Sequence, residues 1–302
     1  DPARELVFTD EKGISYFNYF QNAELLVNRP NVDYDFPIIH EIIWNLCEKN
    51  IDYYDWVINW FAVLYQHPTY RFSTSIIFTG AKGSGKGMLS KVFQRIFEHC
   101  CYSANSKDLI SNFNSQLFEG KLLLLANEIV DQHNKYQFSN DLKELITEET
   151  ISVEKKFSDR YIAKNYVKAI FFSNSSNPIV IEEDDRRYAV FKAGKLDMDY
   201  KTRNKFFEDE EYFTKEVLGF CSFLNMFPCD AEKVVTEPIM TQAKQNIINI
   251  NLTDFKGKIF DIMIDNSSNW YNAIDGKYIT NNNLLSNYKV DNPKESISGK
   301  KF

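Results

Sequence analysis

The stretch Ile76–Phe93, IIFTGAKGSGKGMLSKVF, sets Gly80, Gly85 and Lys86 at the spacing G-x-x-x-x-G-K. Backbone N–H groups at a helix start, with glycines that permit close approach, suit a chain of phosphates. Lys86 then supplies charge to the β- and γ-phosphates. The candidate nucleotide contacts are Gly80, Lys82, Gly83, Ser84, Gly85, Lys86, Gly87 and Met88. Gly87 stands where such loops carry a Ser or Thr whose hydroxyl ligates Mg²⁺. A metal here must rest on water, phosphates and a side chain from a second motif. The rival reading, a glycine-rich turn with no ligand, is disfavoured by the apolar strand before the loop and the helical pattern after it.

That second motif is LLLLANE, an apolar strand pattern ending in Asn127 and Glu128. A carboxylate at a strand's C-terminal end, beside a phosphate loop, can polarise an attacking water. Glu128 is the candidate general base. Asn127 occupies a position where Asp is common, and could orient a metal-bound water; together they are the candidate Mg²⁺ residues, mainly through water. A third strand pattern, AIFFSN, ends in Asn174, a candidate contact to the γ-phosphate; an ordinary turn is the competing reading. In EEDDRRYAVF, Arg186 and Arg187 follow an acidic loop. One could pair with Asp184 or Asp185 while the other reaches a neighbouring subunit's phosphates.

The segment ISVEKKFSDRYIAKNYVKAI alternates on either side of a Ser-Asp turn, as a hairpin does. It sets Lys155, Lys156, Arg160, Lys164 and Lys168 against only Glu154 and Asp159, in a chain of net charge −7. Phe157, Tyr161 and Tyr166 interleave. Cations and aromatic rings together suit single-stranded DNA, with Lys155, Lys156, Arg160 and Lys164 as contacts; an ordinary charged hairpin is the alternative.

The elements that must hold these residues follow from hydrophobic period. FPIIHEIIWNLCEKN and YYDWVINWFAVLYQH predict two packed helices, the second ended before Pro68. Thr74–Thr79, Lys121–Val130 and Val167–Asn174 are continuous apolar runs, which suit a parallel sheet covered on both faces. Helical patterns over Lys86–His99 and roughly Ser139–Thr147 lie between them. The expectation is an α/β core over 71–196 with a central, mostly parallel sheet, preceded by a helical segment (1–70) and followed by another (197–250). Residues 251–302 form a small accessory unit of unsettled content.

Composition bounds the function. With 44% hydrophobic and 25% charged residues the chain is an ordinary globular protein, and its acidity excludes a general polyanion binder. Five cysteines without a C-x-x-C pair argue for a reducing, cytoplasmic setting and against zinc. The longest apolar runs, such as Val57–Tyr65, are too short to span a bilayer, so no membrane partner is expected. The opening DPARELVF, without Met, reads as part of a longer protein.

The order of motifs over roughly residues 40–195 resembles superfamily 3 helicases, nearest the branch in phage and plasmid primase–helicases and primase–polymerases and in poxvirus-type primase–helicases. DLKELITEETISVEKKF is similar to that branch's LK-x-L-T-G-G-D…-K-Y/F segment. FFSN resembles its third motif, and DDRRYAVF its arginine segment. The resemblance implies an AAA+-like P-loop core and a hexameric ring. It implies ATP and Mg²⁺ as cofactors, hydrolysis at subunit interfaces and translocation on single-stranded DNA. It also implies a primase or polymerase domain on the same longer chain, and a phage protein in the host cell. By position, Lys86 matches the loop lysine, Glu128 the catalytic carboxylate, Asn174 the sensor, Lys156 the basic hairpin and Arg187 (or Arg186) the arginine finger. Gly87 and Asn127 depart from the pattern and remove two metal ligands, which keeps open a nucleotide-binding ring scaffold with little hydrolysis. GSGKG also resembles the adenylate kinase loop, where Gly follows the Lys too. A nucleoside monophosphate kinase is the third reading, though about 75 residues precede this loop and no arginine-rich lid is visible.

Overall fold

The structure, a computed structural model, describes residues 7–18, 23–111, 113–129, 135–156 and 159–252. A short antiparallel pair, β1 (Val7–Thr9) and β2 (Ser15–Phe17), opens it. Helices α1 (Glu24–Val27), α2 (Pro37–Leu46) and α3 (Ile51–Gln66) follow. Pro37 sits at the first turn of α2, where its missing N–H has no partner to lose. Asn50 caps α3 by accepting from the N–H groups of Asp52 and Tyr53.

The central elements are β3 (Ser75–Gly80), α4 (Lys86–Phe97), β4 (Cys101–Ala104), α5 (Ser106–Leu109), α6 (Ser115–Phe118) and β5 (Leu123–Ala126). Then come α7 (Lys135–Thr147), the hairpin strands β6 (Thr150–Val153) and β7 (Tyr161–Lys164), β8 (Lys168–Ser173) and β9 (Tyr188–Ala193). Helices α8 (Tyr200–Glu208), α9 (Glu210–Met226) and α10 (Glu232–Val235) and a helical stretch over 242–252 complete the described chain.

Five strands form one sheet in the order β4-β5-β8-β3-β9, and all four pairings are parallel. The expected α/β core with a parallel central sheet is thus present. β4 was not expected: CYSA is too short and too exposed to stand out by pattern. The N-terminal region likewise holds the β1–β2 pair besides its helices. The accessory unit expected over 251–302 lies, but for its first two residues, outside the described residues.

Strand side chains alternate between two fully buried layers. Ile76, Phe78, Ile170, Phe172 and Phe191 face the layer built by α2, α3, α4 and α9. Ile77, Leu124, Phe171, Tyr188 and Val190 face the opposite layer, with Phe138, Leu142 and Ile146 of α7 and with Ile247 and Ile248. This explains why the strands carry continuous apolar runs. Truncating a fully buried ring such as Phe78 to Ala would cost about 3–5 kcal/mol. Glu216 of α9 is buried too; its carboxylate accepts from the N–H groups of Ile38 and Ile39 and from Tyr212 Oη, closing the exposed start of α2. Among the described residues, no helix is long and apolar enough to cross a membrane.

Candidate functional site

Because every sheet strand runs the same way, the C-terminal ends of β3, β5 and β8 lie along one edge. A cleft of about 820 Å³ opens there. It is lined by the loop residues Lys82–Met88, by Asn127, Glu128 and Asn174 just past the ends of β5 and β8, and by Asn105, Ser106 and Lys107 after β4. Leu196, Met198, Arg203 and Phe207 also line it. Of the expected nucleotide contacts, only Gly80 stays out of the lining. It anchors the loop instead: a Cβ there would meet the Ala193 carbonyl oxygen at 2.5 Å, so only glycine fits beside β9.

The loop is held from outside. Asn45 of α2, itself buried, donates from Nδ2 to the carbonyls of Ser84 (3.0 Å) and Gly194 (3.1 Å). The Leu196 N–H donates to the Gly83 carbonyl at 3.0 Å. Gly85 caps α4 with φ +98°, a conformation that disfavours side chains, and no side chain caps the helix. The first N–H groups of α4 therefore face the cleft in need of acceptors. Lys86 folds back to the carbonyl of Gly80 (2.5 Å), that of Ala81 (3.2 Å) and Ser84 Oγ (3.0 Å). Partial burial pushes its pKa down. A Cβ at Gly87 would meet nothing within 4 Å, so Gly87 is not required by crowding.

Glu128 has φ +53°, a left-handed conformation that is strained for a side chain. Neighbours fix it: the Asn127 N–H donates to the Ala104 carbonyl (2.8 Å), the Ile129 N–H to Phe172 (3.1 Å), and Ser106 Oγ to the Glu128 carbonyl (3.2 Å). The residue is exposed just past the strand end and lines the cleft. Asn127 donates from Nδ2 to Ser103 Oγ at 2.8 Å, leaving its carboxamide oxygen for a water. Asn174 is exposed beside Ser173, whose buried hydroxyl donates to the Ile129 carbonyl at 3.0 Å. One carboxylate and one carboxamide oxygen do not make a cage for Mg²⁺. They fit an ion that keeps several waters and also meets phosphates. Among the described residues no cluster of three His, Cys, Asp or Glu could hold a metal.

Arg186 and Arg187 do not join this cleft. They precede β9, at the opposite edge of the sheet. Arg187 pairs with the buried Asp185 (3.4 Å), which also accepts from the N–H groups of Arg187 and Tyr188 and from Lys244. Arg186 is exposed.

The hairpin forms with Thr150 opposite Lys164 and Val153 opposite Tyr161. Its charges are less open than the spacing implied. Lys155 pairs with Glu119 (2.7 Å) and Arg160 with Glu154 (2.5 Å); Lys156 and Lys164 are exposed. Asn114 clamps the hairpin at Ser152 and Glu154. Lys168 is a correction: it is buried, donating to the carbonyls of Pro68 and Tyr166, and belongs to the core. Phe157 lies outside the described residues. Pattern reading missed Lys107 and Arg203 because neither lies in a phosphate-binding motif; only the fold brings them to the cleft.

Comparison with known proteins follows the same outline. A family model described as "Family of unknown function (DUF5906)" matches residues 78–187, from β3 to the arginine pair. A DNA primase–polymerase of Nitratiruptor phage NrS-1 is 28% identical over 96% of this chain. This chain is similar to a phage DNA primase–polymerase. It spans 40% of that relative's length. Two structures of the NrS-1 C-terminal region, both apo, share the fold: one has a TM-score of 0.73 at 24% identity, covering 99% of this chain and 76% of the other. The second has a TM-score of 0.71 at 26% identity, covering 88% and 63%. The part of the resemblance that points to phage-type primase–polymerases is borne out by the phage relative and by the fold of its C-terminal region.

Proposed function

We propose that this chain is an ATP-hydrolysing motor domain of a phage-type replication protein, working on single-stranded DNA as a subunit of a hexameric ring. The observation that carries this reading is the convergence of Lys86, Glu128 and Asn174, from three strand ends, on one cleft with an uncapped helix start. The loop N–H groups and Lys86 bind the phosphates, Lys86 exchanging its loop carbonyls for phosphate oxygens. Glu128 takes the proton of the attacking water, and Asn174 orients that water against the γ-phosphate. Mg²⁺, held by water next to Asn127 and Glu128, would neutralise charge on the transferred phosphate. An arginine before β9, far from its own cleft, is suited to serve a neighbour's; the exposed Arg186 is the better placed of the two. The exposed cations of the β6–β7 hairpin carry the DNA. A linked primase–polymerase domain is the expected partner on the same chain, by likeness to the NrS-1 protein.

Gly87 and Asn127 favour one second reading, a ring that binds nucleotide to assemble and hydrolyses it slowly. The discriminating experiment is ATP turnover with and without single-stranded DNA, on material of measured oligomeric state, with an AMP-plus-ATP assay beside it. DNA-stimulated phosphate release without ADP formation from AMP supports the motor. No turnover with tight nucleotide binding supports the scaffold, and ADP formed from AMP supports a kinase.

A further inference from the structure

The charges of the cleft are lopsided. Lys82 and Lys86 come from the loop, Lys107 from the short α5 and Arg203 from α8. Against these four cations stands one carboxylate, Glu128. Asp108 neighbours Lys107 but is turned away: its carboxylate accepts from the Asn105 N–H in a capping box. Among the described residues none of the four cations forms an ion pair, whereas Lys155 and Arg160 of the hairpin do. Lys82, Lys107 and Arg203 are exposed and Lys86 holds only loop carbonyls and the Ser84 hydroxyl, so all four remain able to pair with a polyanion laid on the helix start.

We infer that Lys107 and Arg203 bind the triphosphate tail directly and neutralise it in place of a protein-held metal, so that nucleotide binds this chain without Mg²⁺. The inference rests on the nucleotide-site reading above and adds to it. Two groups that usually fix the ion, a loop hydroxyl and a second-motif Asp, are replaced by Gly87 and Asn127. Lys107 and Arg203 line the same cleft from α5 and α8, two elements outside the loop, so a tail lying on the loop shares the cleft with both charges. Both are exposed members of the cleft lining, open to a phosphate chain from solvent. The metal then serves turnover rather than affinity. Nucleotide occupancy, and any assembly that depends on it, would not follow the free Mg²⁺ level.

The test is equilibrium titration of a fluorescent ATP analogue, in Mg²⁺ and in EDTA, against wild type, Lys107→Gln/Arg203→Gln and Lys86→Ala, each checked for an unchanged melting temperature. Wild-type affinity should change by less than about threefold on removing the metal. The double variant should lose roughly 10²-fold in EDTA, as loss of charged hydrogen bonds does, and regain part of it in Mg²⁺. Wild-type binding that appears only with Mg²⁺, and is lost in Lys86→Ala, overturns the inference but leaves the nucleotide site standing. A double variant that binds in EDTA like wild type also overturns it. Absence of binding in both conditions overturns the nucleotide-site reading itself.

Discussion

The Nζ of Lys86 lies 2.5 Å from the carbonyl oxygen of Gly80, at the far end of the loop that these two residues delimit. In this pose the ammonium satisfies loop carbonyls, and a phosphate would draw it away. Lys86→Ala should abolish nucleotide binding. Burial holds the Lys86 pKa below its usual value, so the free site loses this charge at a lower pH than an ordinary lysine would. Nucleotide affinity should therefore fall as pH rises through that lowered pKa, before exposed lysines titrate. Calorimetric titration across alkaline pH checks this; an affinity independent of pH up to the ordinary lysine range would argue against it.

Asn45 lies on α2, yet it holds the loop through the Ser84 carbonyl and the segment just after β9 through Gly194. Asn45→Ala leaves two acceptors without a partner, and should cost about 1–3 kcal/mol of stability. It should also weaken nucleotide binding without touching any cleft residue. Denaturant unfolding in parallel with nucleotide titration measures both.

The two arginines before β9 should separate in their effects. Arg187→Ala takes a partner from the buried Asp185, so it should lower thermal stability. Arg186→Ala should leave stability unchanged and remove turnover in trans. Mixing inactive Arg186→Ala with inactive Lys86→Ala protein should restore some turnover in mixed rings. Subunit exchange without any recovery would place the completing cation elsewhere.

In the hairpin, Lys156→Ala should weaken single-strand binding and lower the salt slope by about 0.7 per lost phosphate contact. Glu119→Gln should act in the opposite direction, because Glu119 holds Lys155 at 2.7 Å and also accepts from Tyr161 Oη. Fluorescence anisotropy with a labelled oligonucleotide at several salt concentrations reads both. Wild-type slopes in both variants would make the hairpin a structural element only.

Much of this was legible in the sequence because the loop, Glu128 and Asn174 each end an apolar run, and a parallel sheet brings such ends together. The period-two layers also explain why three of the five sheet strands read as unbroken apolar runs. What was not legible depends on contacts distant in sequence. Lys107 and Arg203 are nearly 100 residues apart and share only the cleft. Lys168 reads as one more basic residue after the hairpin, but its neighbours Phe72 and Pro68 are supplied by the chain before β3. The pairing of Lys155 with Glu119 is hidden for the same reason. Asn45 and the strained φ of Glu128 leave no trace in any local pattern.

The most direct test of the central claim is the split between binding and turnover in Glu128→Gln. The amide keeps the shape and the backbone conformation but cannot take a proton. ATP affinity should match wild type, and steady-state phosphate release should fall by about 10²-fold or more. Wild-type turnover in Glu128→Gln, or wild-type protein no faster than Lys86→Ala, would contradict the account.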